Sequence, residues 1–248
     1  MKPKYILIIS PILSFFLVEL IIFQVEFFYW IIIGLNLLIA VSLYKISRLK
    51  LRSRRFRKHL ILPFFFLNGL SAYLLLSSNT LVWQLLAVVL TFFVYYYLRQ
   101  IYFQYILEMT VRWDNLSYYF SFLALFFVFS FVFGSQNSLL SSTTSVLVFL
   151  LTAVLLTYQV FWAQGLLKSQ NYVFIFLIAL VLVEIAWVFF YLPFSYNIGG
   201  IIIAIFYYLI LGLTRPYLKN SLTGRKIKFY LSLSLGCVAL ILLTARIF

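Results

Sequence analysis

YVFIFLIALVLVEIAWVFFYL, residues 172–192, holds one charged side chain, Glu184, in a run of 21. A helix needs about 20 mostly apolar residues to cross a bilayer, because in hydrocarbon every backbone polar group must be bonded within its own segment. The same reading, carried outward, finds comparable runs at 6–23, 27–44, 60–77, 81–97, 116–133, 146–167, 198–213 and 229–245. Composition agrees: of 248 residues 65% are hydrophobic and 10% charged, against roughly 45–50% and about 25% in soluble domains. The expected fold is an all-α integral membrane protein, a polytopic bundle of about nine transmembrane helices forming a single domain over residues 1–248.

Sidedness follows from the cations, since basic residues near span ends stay in the cytoplasm. With the amino terminus inside and nine spans, 18 of the 19 Lys and Arg residues fall on the cytoplasmic side, leaving Arg246 outside. The carboxyl terminus is then external, and the expected location is a bacterial cytoplasmic (inner) membrane. The net charge of +14 is thereby a record of insertion, and nucleic acid is not an expected partner. The run Lys45 to Lys58 is dense enough for a second task, gripping anionic head groups at about 1 kcal/mol per basic residue. Arg52, Arg54, Arg55, Arg57 and Lys58 are the candidates for those contacts, and membrane lipids and other membrane proteins are the expected partners.

The connections are short. Gln24 to Glu26 and Ser78 to Thr80 permit only tight antiparallel hairpins, and the first span, which has no small-x-small cleavage site after it, reads as an uncleaved anchor. The longest internal connection, 98–115, repeats Leu98, Ile101, Tyr102, Tyr105, Ile106 and Met109 at helical steps. It is expected to be amphipathic, either prolonging the fourth span or lying in the interface, with Glu108 able to pair with Arg112. Glycines are few and scattered apart from Gly199 and Gly200, so bulky aliphatic and aromatic packing is expected to hold the helices together.

Several chemistries are excluded by what is missing. One histidine, His59, ends the basic run, so imidazole ligation of haem or zinc within the membrane is ruled out. Every lysine lies outside the expected spans, which removes a retinal Schiff base. Serine and metal-dependent intramembrane proteolysis want a paired histidine or a His-Glu-x-x-His helix, and the sequence has neither. A Mg²⁺-dependent lipid transferase would draw on Glu108 and Asp114, which one helix cannot aim at one ion because six residues place them about 240° apart. No cofactor is expected. The single cysteine, Cys237, reads as packing.

Glu184 is the informative acid. Near the bilayer centre an ionised side chain costs about 2.5–3.5 kcal/mol on insertion scales, so Glu184 is expected to be held neutral or to face water inside the bundle. Asn36 and Asn68 reach similar depth, and the three make a candidate intramembrane polar site, with Trp187, Val188 and Tyr191 on the same helical face as Glu184. Gln84 and Gln159 lie nearer the membrane surfaces.

The stretch from Glu184 through Pro193 and Ser195, followed by Tyr207, Tyr208 and Gly212 in the next span, resembles a pattern in uncharacterised multi-pass proteins of small-genome bacteria. That resemblance implies a helical membrane fold and no catalytic role. Three functions remain open: transport or binding of a small or lipidic substrate within the bundle, with Glu184 as proton acceptor or ligand; a structural or assembly role, binding membrane proteins or anionic lipids; and an enzyme acting on a lipid-linked substrate.

Overall fold

A computed structural model describes residues 3–50, 52–77, 79–109, 113–135, 141–192 and 194–244. Among them lie nine α-helices: α1 Pro3–Phe23, α2 Phe28–Ser47, α3 Arg54–Leu74, α4 Thr80–Tyr105, α5 Trp113–Ser135, α6 Ser142–Ala163, α7 Tyr172–Phe190, α8 Tyr196–Leu218 and α9 Gly224–Thr244. No strand occurs among the described residues. Eight of these helices are long and apolar enough to cross a membrane. The exception is α3, whose first turns carry Arg54, Arg55, Arg57 and Lys58 ahead of the apolar run that begins at Leu60.

At α3 and α4 a capping side chain, rather than hydropathy, sets where the helix begins. The Ser53 hydroxyl accepts the Phe56 N–H at 3.1 Å and starts α3 six residues before its apolar run. The same helix stops at Leu74, three residues short of the expected boundary at 77. Asn79 caps α4, its Oδ1 accepting the Leu81 N–H at 2.9 Å, and α4 then continues unbroken to Tyr105. The first part of the 98–115 segment is therefore a prolongation of the fourth span. Arg112, the expected partner of Glu108, lies outside the described residues. At the end of α6 the chain needs a left-handed residue, and Gly165 supplies it at φ +67°. Asn171, buried, donates its side-chain amide to the Leu166 carbonyl at 2.7 Å and ties the short connection into α7.

The helices cluster into two compact units, residues 1–120 and 121–248, with the boundary inside α5. In the first unit α1 packs on α2 and α4, α2 on α3 and α4, and α3 on α4. Its core is aromatic: the Phe66 and Phe93 rings stack at 4.0 Å, and Phe120 meets Phe93 edge-on at 4.7 Å. In the second unit α6 packs on α7, α7 on α8, and α8 on α9.

Bulky packing holds the second unit too, except where glycines of α8 admit a neighbour, as Gly212 does the Tyr230 ring, 2.5 Å from where its Cβ would stand. A Cβ at Gly200 of α8 would stand 2.0 Å from the Ser130 hydroxyl and 3.0 Å from the Ser130 backbone nitrogen of α5. The lack of a side chain is thus what lets these two helix backbones meet. A cluster of rings lies beside that contact. Phe149 of α6 has its centroid 4.1 Å from Phe129, 5.3 Å from Phe133 and 5.4 Å from Phe190.

Candidate functional site

Asn36 and Asn68 do meet. Each side-chain amide donates to the other's Oδ1, at 3.2 and 3.1 Å. Each also donates to the carbonyl one turn back in its own helix, Ile32 and Phe64 respectively. Both N–H donors of both amides are consumed, so the pair is a clasp between α2 and α3 with no donor to offer a ligand.

Glu184 is placed differently from expectation. The buried face of α7 is built from Ile175, Ile178, Ala179, Leu182 and Ala186. Glu184 follows Leu182 by two residues, about 200° round the helix, and is exposed. Trp187, Val188 and Tyr191 are exposed with it, at 44%, 58% and 74%, so this face does not line the interior of its unit. The physical reason is simple: the inward stripe of α7 is filled at every turn by apolar residues.

At the start of α3, Arg52, Arg54, Arg55 and Arg57 are exposed and Lys58 is half-buried. His59 turns inward. Its Nε2 lies 3.1 Å from the Tyr105 hydroxyl, and the Tyr97 hydroxyl donates to the His59 carbonyl. Burial lowers the imidazole pKa from 6.5 to about 4, because desolvation disfavours the charged ring. Glu108 is exposed, and the Asp114 side chain lies outside the described residues.

A buried polar stripe lies in the second unit. Ser145, Thr152 and Gln159 of α6 are each at most 1% exposed, and their seven-residue spacing keeps them on one face of the helix. From Ser145 to Gln159 the stripe climbs about 21 Å at ~1.5 Å per residue. The two hydroxyls and the Gln159 carbonyl oxygen meet no protein partner. A second group of buried hydroxyls lies on another side of α6, since Thr157 precedes Gln159 by two residues, about 200° round the helix. The Thr157 and Ser121 hydroxyls interact with the Tyr207 hydroxyl of α8, and the buried Ser130 hydroxyl has no hydrogen-bond partner.

These groups had an easy alternative. A helical Ser or Thr can bond the carbonyl one turn back, as Ser42 does to Leu38 at 2.6 Å, Thr91 to Ala87 at 2.8 Å and Thr244 to Leu240 at 2.9 Å. Ser145, Thr152 and Thr157 do not take it. A buried polar group left unpaired costs about 1–3 kcal/mol, so this stripe on α6 departs from ordinary helix packing. One end of the stripe is marked by Gln164, which accepts the Arg215 Nε–H at 2.7 Å while its own amide nitrogen stays unpartnered. Between Ser145 and Thr152 stands the Phe149 ring cluster, an apolar interruption.

Ser121, Ser130, Ser145, Thr152 and Thr157 were not among the residues the sequence singled out, and Tyr207 entered only through the resemblance. The signal was available in the heptad spacing of polar residues 145, 152 and 159 within a window that is apolar apart from Thr157 and Tyr158, since a lipid-facing or packed helix gains nothing from such a register.

Both units fall within one family match. The model of the family described as Protein of unknown function (DUF5656) covers residues 10–244. The chain belongs to the DUF5656 family. No curated protein and no solved structure matches it. The DUF5656 description names no activity, so function rests on the geometry of the residues.

Proposed function

We propose that this DUF5656 protein binds and passes small, uncharged, hydrogen-bonding solutes through residues 121–248, along the polar stripe of α6. In this reading it sits in a bacterial inner membrane with its amino terminus in the cytoplasm. The observation that carries the reading is the set of buried, unpartnered side-chain oxygens on Ser145, Thr152 and Gln159, a ladder of donors and acceptors with no ionisable group in it. Hydroxyls and amides of this kind replace a neutral solute's water without paying to strip an ion. The Phe149 cluster acts as the gate, since an apolar constriction interrupts conduction by dewetting. Glu184, on the exposed face of α7, takes no part.

The test is permeation. Purified protein in proteoliposomes, challenged osmotically with glycerol and followed by stopped-flow light scattering, is expected to exceed protein-free liposomes. Thr152→Leu and Gln159→Leu, which keep bulk and remove unpaired polar groups, are expected to abolish the excess while inserting normally, and Glu184→Gln to leave it unchanged. Wild-type permeation equal to that of empty liposomes, or leucine variants as permeable as wild type, would refute the reading.

A further inference from the structure

Glu184 stands within one turn of the middle of α7 and faces outward. The face is continuous. Leu177, Leu180, Val181, Trp187, Val188 and Tyr191 are all exposed and recur around Glu184 at three-, four- and seven-residue steps. Lipid tails satisfy those six side chains as well as protein would, but they offer nothing to a carboxylate, and the short Glu side chain sits too deep to reach the head groups. A feature that lipid alone leaves unsatisfied points to protein on this face.

The chain's own sequence restricts what that protein is. Between Lys168 and Arg215 there is no Lys, Arg or His, and in the other membrane-crossing helices the cations cluster toward the ends, as Lys4, Lys45, Arg99, Arg225, Lys226 and Lys228 do. A second copy would therefore bring another carboxylate to the depth of Glu184 and no counter-charge. We infer that the outer face of α7 docks a transmembrane helix of a different protein, one that carries a lysine or arginine at matching depth to pair with Glu184. The edge-to-face pair of Trp187 and Tyr191, 6.0 Å apart, gives the apolar shelf against which that helix rests. This inference stands on α7 alone and is independent of the solute route.

The test uses the full chain, donor-labelled in proteoliposomes, with three acceptor-labelled single-span peptides of leucine and alanine: one with a central lysine, one with a central glutamate, one wholly apolar. Energy transfer is expected to show the lysine peptide binding at least tenfold tighter than the apolar one. Glu184→Leu, which suits a lipid-facing position and should fold normally by circular dichroism, is expected to erase that advantage. Glu184→Lys should transfer the preference to the glutamate peptide. Equal binding of the lysine and apolar peptides would mean that lipid covers this face. Energy transfer between two labelled copies of the chain, lost in Glu184→Leu, would mean that a second copy does. Either result overturns the inference.

Discussion

Phe149→Ala removes the ring that separates Ser145 from Thr152. Three aromatic neighbours lose their partner, Phe129, Phe133 and Phe190, at centroid distances of 4.1, 5.3 and 5.4 Å. Such pairs contribute about 0.5–1.5 kcal/mol each beyond simple burial, and truncating a well-packed phenylalanine costs about 3–5 kcal/mol in all. The six ring carbons vacate far more than the ~10–15 Å³ of probe volume that one water needs. With polar groups on both sides, the opened space should fill with water and join the two halves of the stripe. The expected outcome is paired: a lower unfolding temperature in detergent and a several-fold rise in glycerol permeation in proteoliposomes, with Phe149→Leu intermediate in both. A cavity opened inside sealed apolar packing stays dry. The reasoning is refuted if Phe149→Ala and Phe149→Leu insert, lose stability as expected, and permeate no faster than wild type.

Three further outcomes follow from the packing. Gly200→Ala is expected to cost about 1–3 kcal/mol by overpacking, since its Cβ would lie 2.0 Å from the Ser130 hydroxyl; adding Ser130→Ala should recover part of that loss, and Gly34→Ala, with nothing within 4 Å of its Cβ, should stabilise by up to about 1 kcal/mol in the same detergent-unfolding assay. Asn36→Leu should cost about 0.6 kcal/mol, up to ~1.7, and a double-mutant cycle with Asn68→Leu should show that the two losses are not additive. His59 is buried and neutral with its pKa lowered to about 4 from 6.5, so its contribution is fully present above pH 6.5 and is lost as pH falls toward 4, at about 1.4 kcal/mol per pH unit. Unfolding temperatures measured between pH 7.5 and 4.5 should show that slope in wild type, and His59→Gln should flatten it.

The helices themselves were legible because a bilayer imposes length and apolarity on every crossing, and that signal survives any tertiary arrangement. Their ends were less so. Ser53 starts α3 within a run of cations, and α4 runs on through Arg99 to Tyr105, because backbone hydrogen bonding continues wherever a cap or a helical side chain supports it. Asn36 and Asn68 could be paired by depth alone, since a polar amide in a membrane helix seeks another. The facing of Glu184 could not: α7 is apolar on all sides, so its sequence carries no periodicity to say which side packs. The α6 stripe was hidden for a related reason. Serine and threonine are common enough in membrane helices to pass as self-bonded, and only the three-dimensional partners reveal that Thr152 and Thr157 are not.

Whether the interior of α6 is wet can be measured by thiol accessibility. In a Cys237→Ser background, which removes the chain's single native cysteine, Thr152→Cys and Ala153→Cys place thiols at two fully buried positions of nearly equal depth, about 100° apart round the helix. A membrane-impermeant, charged methanethiosulfonate reagent is then applied to intact membranes from the side of Gln164 and Arg215. A hydrated stripe predicts rapid labelling at 152 and none at 153. A Thr152→Cys protein as unreactive as its Ala153→Cys counterpart would contradict a solute route through this unit.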